Sequence, residues 1–258
     1  MIIRPLDPEP ATSTEFLPAW PVVQRIQKQK YESCWLITQP SHAALAGALA
    51  AALSGPQLPQ PDARLIQAIA LHDAGWGMPD AQIIQMSRAD SRYRPESFLE
   101  TSVPEFLSAW TKSIEVGQSV SPAGGYIVSR HFYRLAETGL ASGAAAKEDR
   151  HRVESFLKSE DRRQKKLSSS QSLGLPELER LTDFLQFCDL LSLYICCGAQ
   201  QNVVFPEYFG SQLRITNGPE GLNLDPAWIA SGTRFSFAAL RHPLKKDVHG
   251  KEIEVQIL

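Results

Sequence analysis

The chain has 258 residues, 43% of them hydrophobic, which is enough for one sizeable core. With 26 basic and 28 acidic residues its formal net charge is −2, so the chain as a whole has no general attraction for nucleic acid or for an anionic membrane. We therefore expect neither as a partner and favour a small-molecule substrate. Assembly into a homo-oligomer stays open.

The cysteines and the N-terminus predict a cytoplasmic location. Cys34, Cys188, Cys196 and Cys197 form no CxxC pair, and we interpret them as reduced, mostly buried thiols. The first residues contain no apolar core of a signal peptide. The longest weakly apolar run, residues 43–53, is too short to cross a bilayer.

The first two-thirds of the chain alternates between short extended stretches and helices. Residues 1–6 and 33–38 look extended, and the alanine-rich run 43–53 is a strong helix former that Gly55 and Pro56 end. A second helix is predicted over residues 62–74 from apolar residues at helical spacing. Further helices are predicted to begin near residues 102, 121, 147 and 176, and the last of these is the most apolar and reaches about residue 197.

The pattern changes after residue 200, where short stretches alternate between apolar and polar residues. The clearest are residues 234–237 and 252–257, and this period of two predicts strands. The fold class we predict is mainly α, a helical bundle with a small β element formed by the N- and C-terminal segments. We expect a single domain over residues 1–258, with a helical core over 31–200 and extended appendages over 1–30 and 201–258.

Polar residues interrupt three of the predicted apolar helices. They are His42, the pair His72-Asp73, and Asp189. Burying a carboxylate among apolar neighbours is costly unless it is paired or bound to a cation. Taken alone, His42 could be a surface residue, the His-Asp pair could arise by chance, and Asp189 could cap a helix or pair with an arginine. Their occurrence together predicts a divalent metal site.

The order His, His-Asp, Asp resembles that of the HD superfamily of metal-dependent phosphohydrolases. The phrases that carry the resemblance are residues 39–47, 70–76 and 187–194, and they are closest to an uncharacterised bacterial HD-like family of about this length. The resemblance implies an HD-domain-like helical bundle that holds one divalent ion, with Mn, Fe, Ni, Co, Zn and Mg all open. The long gap between Asp73 and Asp189 implies an insertion between the ligand helices.

The resemblance also implies a mechanism. His42, His72, Asp73 and Asp189 would bind the ion, which lowers the pKa of its water and polarises a phosphoryl oxygen. Asp73 would be a ligand and would also orient the nucleophilic water. The function this favours is a hydrolase acting on a phosphate ester or a nucleotide. The alternatives are an HD-type oxygenase with two irons, a non-catalytic binding or sensory protein stabilised by its metal, and a helical scaffold without metal.

His131 is the next candidate for a catalytic residue, because apolar residues surround it. It could be a proton donor, a phosphate contact, or, by the same resemblance, a ligand of a second ion. Arg130 beside it could bind an anion bidentately, although an exposed salt bridge is the simpler interpretation. His151 lies among charged residues, so we interpret it as part of a solvated helix face.

Three further residues could line or support the site. Trp76 follows the His-Asp pair closely and could form a wall of the substrate pocket, or it could be an ordinary core aromatic residue. Gln39 could contact the substrate, and Gln39 and Asp80 could both support the metal ligands from behind. No Walker loop, nucleophile elbow or dinucleotide-binding fingerprint is present in the sequence.

Overall fold

The computed structural model describes residues 1–11, 13–90, 92–141, 147–218, 220–244 and 250–258, and most of these residues are helical. The helices are α1 (Ala19–Lys28), α2 (Gln39–Ala52), α3 (Ala63–Ala70), α4 (Gly77–Ala89), α5 (Val103–Val120), α6 (Pro122–Ala141), α7 (Lys147–Ser169) and α8 (Leu175–Cys197), with short 3-10 turns at Ala74–Trp76 and Phe98–Glu100. Within the described ranges, every helix is too short or too polar to cross a membrane.

Helix α8 lies at the centre of the hydrophobic core, and 15 of its 23 residues are buried. Phe184, Phe187 and Tyr194 are each less than 2% exposed. The helix packs against α1, α2 and α6. Full burial of one such large side chain contributes about 1.5–3 kcal/mol to folding. A carboxylate within α8 therefore needs a polar partner, and Asp189 is in this position.

Helices α2 and α3 approach each other unusually closely. A Cβ atom added at Gly47 would lie 2.4 Å from the Cβ of Ala70, so only glycine fits there. The alanine-rich composition of α2 serves the same close packing. This contact fixes the first turn of α2, which carries His42, against the end of α3, which precedes His72.

Two four-stranded sheets complete the fold. The strands are β1 (Ile2–Pro5), β2 (Leu17–Pro18), β3 (Cys34–Ile37), β4 (Val203–Tyr208), β5 (Ser211–Gly218), β6 (Gly221–Asp225), β7 (Arg234–His242) and β8 (Lys251–Gln256). The first sheet has the order β1-β3-β7-β8 and is antiparallel, and the second has the order β2-β4-β5-β6. A bridge between Leu222 and Ile257 connects the two sheets.

The prediction of a mainly α bundle with a small β element was wrong. The described residues form two sheets of four strands each, so the chain is a mixed α and β protein with substantial sheets. We expected strands near the two termini. We did not expect the pairing of β3 with β7, which joins residues some 200 positions apart, such as Cys34 and His242. Sequence periodicity does not encode pairing over such distances, and sheet size depends on it.

The expectation of an extended segment over residues 1–30 was also wrong in part, because residues 19–28 form α1. Its buried positions include Ala19, Val22, Val23 and Ile26, which follow the spacing of one helix face. The helix packs against α8 through this face. The apolar spacing of a helix was therefore present in the sequence. Pro18 and Pro21, at the start of the helix, obscured it.

Candidate metal centre

His42 lies in the first turn of α2 and is 1% exposed. The helix begins there because the Thr38 side chain accepts a hydrogen bond from the Ser41 backbone N–H, at 3.2 Å. The two ring nitrogens of His42 have different neighbours: Nδ1 is 2.9 Å from the Ser192 hydroxyl and Nε2 is 2.9 Å from Asp73 Oδ2. The start of α2 thus directs one ring edge of His42 at the carboxylate.

His72 and Asp73 follow the end of α3 and precede the 3-10 turn Ala74–Trp76. The helix had been expected to continue to residue 74, but it ends at Ala70. His72 is fully buried, and its Nδ1 lies 2.8 Å from the carbonyl oxygen of Ile69. Ending the helix early turns both side chains toward α2 and α8.

Asp189 comes from the middle of α8, and its side chain is 15% exposed. Its Oδ1 atom lies 3.2 Å from His72 Nε2 and 3.6 Å from His42 Nε2. Asp73 Oδ2 is 3.7 Å from His72 Nε2 in addition to its short contact with His42. The structure thus brings the side chains of all four predicted ligands together from three separate parts of the chain.

The donor atoms suit a divalent cation. One atom each from His42, His72 and Asp189 lie within 4.8 Å of one another, which is close enough to share an ion. Two imidazole nitrogens with carboxylate oxygens form a set that suits Zn, Fe, Ni, Co or Mn better than Mg, because Mg prefers oxygen ligands. The residues therefore fit a transition-metal ion.

Hydrogen bonding fixes which nitrogen of each histidine faces the cluster. The Ile69 carbonyl can only accept, so His72 Nδ1 carries a proton and donates it. The Ser192 hydroxyl donates to the Asp189 carbonyl oxygen at 2.8 Å, so it accepts from His42 Nδ1–H. Both Nε2 atoms are then left without a proton in the neutral rings and face carboxylate oxygens. The lone pairs of these two nitrogens repel the negative carboxylate oxygens that they face. The arrangement is therefore stable only with added positive charge, which protons or a cation can supply.

The pKa values of the cluster agree with this need for positive charge. Burial alone would lower the pKa of His72, but Asp73, Asp189 and the Ile69 carbonyl together raise it to about 9. Burial would raise the pKa of Asp189, but the hydrogen bond from His72 and the electrostatic influence of the neighbouring imidazoles lower it to about 2. Without an ion, His72 Nε2 therefore holds a proton that it shares with Asp189.

Metal binding should release this proton. Because His72 is protonated below about pH 9, an ion must displace the Nε2 proton, and the apparent Kd should fall about tenfold per pH unit between pH 7 and 9. Calorimetry of Mn²⁺ or Zn²⁺ binding in buffers of different ionisation enthalpy should show about one proton released per ion. The exposed His151→Ala variant should give the same value. A pH-independent Kd would contradict the assignment of His72.

Ser192 is a residue that the sequence did not single out, and it should act through His42. Ser192→Ala leaves the buried Nδ1 of His42 without a partner and no longer fixes the ring. We expect metal affinity to fall about tenfold, as measured by competition with a chelating dye. Thr182→Val removes another buried hydroxyl from α8, which bonds only to the Leu178 carbonyl, and should leave the affinity unchanged. Equal losses in both variants would point to a general disturbance of α8.

His131 lies beside the cluster on α6 and is 2% exposed. Its Nε2 atom is 3.8 Å from Asp189 Oδ2, too far for a hydrogen bond, and its Nδ1 atom has no hydrogen-bond partner in the described part of the chain. Burial is the main cause that lowers its pKa to about 4. The structure therefore places a neutral imidazole next to the oxygen of Asp189 that faces away from His72.

The three residues predicted to contact the substrate lie in different surroundings. Trp76 is 4% exposed and belongs to the core, and Arg130 pairs with Glu179 at 3.1 Å, the salt bridge considered above as the simpler interpretation. Gln39 is 3% exposed, and its Oε1 atom has no hydrogen-bond partner among the described residues. His151 lies on the exposed part of α7.

Asp80 supports the start of α2 through the backbone of Gln39. Its Oδ2 accepts from the Gln39 backbone N–H at 2.6 Å, and its Oδ1 lies 2.8 Å from the amino group of Met1. Asp80 is fully buried. Because Gln39 opens the helix that carries His42, the carboxylate of Asp80 holds that turn in place.

Comparison with protein-family models gives one assignment. Residues 26–240 match the family described as "Protein of unknown function (DUF3891)". No curated protein and no solved structure matches the chain. The matched range contains the residues of the cluster on α2, α8 and the turn after α3. Because the match covers well over half of the chain, the protein belongs to the DUF3891 family.

Proposed function

We propose that this protein is a divalent-metal-dependent hydrolase of the HD type that acts on a phosphate ester or a nucleotide. The observation that supports the proposal most is the orientation of His42 and His72. Their Nδ1 atoms are held by Ser192 and by the Ile69 carbonyl, so both Nε2 atoms face the carboxylates of Asp73 and Asp189. A purely structural cluster would not need two imidazoles oriented in this way.

The residues have separate roles in such a reaction. A divalent ion in the cluster would supply Lewis acidity, which polarises a phosphoryl oxygen and lowers the pKa of a coordinated water. Asp73 keeps a second carboxylate oxygen, Oδ1, that can accept a hydrogen bond from the attacking water and orient it. His131 Nε2 lies 3.8 Å from Asp189 Oδ2, and this neutral imidazole can form a hydrogen bond with a phosphoryl oxygen of the substrate.

Access to the cluster is from the side of its carboxylates. The side chains of Asp73 and Asp189 are 9% and 15% exposed, whereas those of the two histidines are at most 1% exposed. This arrangement suits a small molecule that reaches the ion from the side of the two carboxylates. It also supports the choice of a small-molecule substrate over a macromolecule.

The experiment that tests the function is a substrate screen on the metal-loaded full chain. We expect phosphatase or phosphodiesterase turnover with at least one of Mn, Co, Ni, Zn, Fe or Mg on a panel of phosphomonoesters, phosphodiesters and nucleotides. The turnover should be lost in His72→Ala and retained in the exposed variant His151→Ala. Absence of turnover with every metal, or equal turnover in His72→Ala, would reject the proposal.

The position of His131 favours one alternative, an HD-type oxygenase with two irons. Two iron ions would be held by His42, His72, Asp73, Asp189 and His131, since Oδ1 of Asp189 faces His42 and His72 while its Oδ2 faces His131. Elemental analysis of protein purified in air distinguishes the two functions. A content of about two iron ions per chain supports the oxygenase. One ion per chain and no iron would exclude it.

We also propose that the protein works in the cytoplasm. Its four cysteines are all free and buried. A reducing compartment keeps such thiols unpaired, whereas Cys196 and Cys197 would be exposed to oxidation during folding in a secreted protein.

A further inference from the structure

A cavity of about 270 Å³ lies at the C-terminal end of α8, where residues of β1, β5, β6 and β8 also border it. Among the described residues, its lining includes no member of the metal centre. Asp189 and the lining residue Gly198 are nine positions apart, which corresponds to about 13 Å along a helix. The cavity is slightly smaller than those that hold drug-sized molecules, so it suits a small ligand.

The end of α8 holds the side chain of Arg4, which lines this cavity. Its Nη1 atom donates to the carbonyl oxygens of Ile195 and Cys196, at 2.9 and 3.4 Å. The last turn of a helix leaves such carbonyls without a partner inside the helix. The guanidinium also packs on Gly198, where φ is +64° and an added Cβ would lie 2.5 Å from Arg4 Cζ. Because only glycine suits this position, the guanidinium lies directly against the helix end.

The opposite edge of the Arg4 guanidinium is open. Its Nε and Nη2 atoms make no hydrogen bond within the described part of the chain, and neither is a buried atom without a partner. Within the same ranges, Arg4 also forms no ion pair with a carboxylate. The Nε–Nη2 edge of an arginine presents two parallel N–H groups that match the two oxygens of a carboxylate.

The positive charge of Arg4 is only partly compensated. The side chain is half-buried, and burial is the largest cause that lowers its pKa. The negative end of the α8 dipole is equivalent to about half an elementary charge. Arginine keeps its proton at neutral pH, so the remaining positive charge faces the cavity and favours an anionic group there.

The rim of the cavity carries the opposite charge. Glu220 and Glu254 line it and are exposed, and neither forms a hydrogen bond or an ion pair with another described residue. A ligand with several negative charges, such as a phosphate ester, would be repelled by these carboxylates. A ligand with one carboxylate and one ammonium group would find a partner for each of its charges.

We propose that this cavity is a second binding site, separate from the metal centre, that takes a small zwitterion such as an α-amino acid. Nε and Nη2 of Arg4 bind the carboxylate of the ligand, and Glu254 and Glu220 face its ammonium group. The inference does not require an ion at the metal centre, because no residue of that centre takes part in the binding.

The first test measures binding of each standard L-amino acid to the full chain, by thermal shift at about 10 mM and then by calorimetry. We expect at least one amino acid to stabilise the protein. Its primary amide, which lacks the carboxylate, should bind about tenfold more weakly. Arg4→Lys keeps the positive charge but loses the two parallel donors, so the Kd of the same amino acid should rise about tenfold.

A second variant tests the ammonium end of the ligand. Glu254→Gln should raise the Kd of the same amino acid about threefold, because an exposed ion pair with the ligand is lost. Glu252→Gln is the matched control, since Glu252 is exposed on the same strand but binds the Ser236 hydroxyl outside the cavity. It should bind the amino acid like the wild type.

The outcomes test the site even if Arg4→Lys fails to fold, because Glu254 is exposed and supports no other described group. The inference is overturned if no L-amino acid binds, or if the primary amide or Arg4→Lys binds as tightly as the native pair. Equal Kd values for Glu254→Gln and Glu252→Gln would also overturn it. His72→Ala disables the metal centre and should still bind the amino acid, so failure of the proposed function would not affect this result.

Discussion

Replacing Asp189 with asparagine is expected to weaken metal binding by more than about 100-fold. The substitution keeps the shape of the side chain but removes the charge that Oδ1 presents to His72 and His42, at 3.2 and 3.6 Å. An amide oxygen is a much weaker ligand for a divalent ion than a carboxylate in a buried site. Titration of the metal-free protein with Zn²⁺ or Co²⁺ measures the loss.

Asp183→Asn is the matched control for this prediction. Asp183 lies on the same helix, its side chain is 44% exposed, and it pairs with Arg134 outside the cluster. Its replacement should change metal affinity by less than about twofold, because exposed ion pairs contribute little. If Asp189→Asn bound the ion as tightly as Asp183→Asn, then Asp189 would not be a ligand.

Replacing Gly75 with alanine is expected to destabilise the protein by about 3 kcal/mol, at the upper end of the range for overpacking. A Cβ at this position would lie 2.0 Å from the Ala109 carbonyl oxygen and 2.8 Å from the Ser113 backbone nitrogen. Both are backbone atoms of α5 and cannot move away cheaply. Because Gly75 is two residues after Asp73, we also expect weaker metal binding. Urea denaturation and metal titration measure the two effects.

Gly77 provides the matched control on the same segment. Nothing lies within 4 Å of a Cβ added there, and its φ of −55° is helical. Gly77→Ala should therefore be neutral or stabilise the protein by about 0.5–1 kcal/mol. Equal stabilities for the two variants would show that the close approach at Gly75 does not exist.

The candidate ligands could be predicted because each conflicts with its local sequence. Asp189 interrupts the most apolar helix of the chain, and His42 and His72-Asp73 lie next to alanine- and leucine-rich runs. A buried charge needs a partner, and this requirement can be seen without coordinates. The supporting residues could not be found in this way. A serine such as Ser192 in an apolar helix usually bonds to its own helix, so only its distance from His42 reveals its role.

The sequence by itself determined most of the described helices, though not α1 or α4, and it determined the residue types of the site, because periodicity, helix caps and buried charge are local properties. The tertiary structure alone decided the size of the two sheets, the end of α3 before His72, and the orientation of each imidazole. These features depend on contacts between residues far apart in the chain, such as the pairing of β3 with β7 and the bond between Ser192 and His42. Such contacts carry no periodic signal, and their free energy appears only when the whole core is assembled.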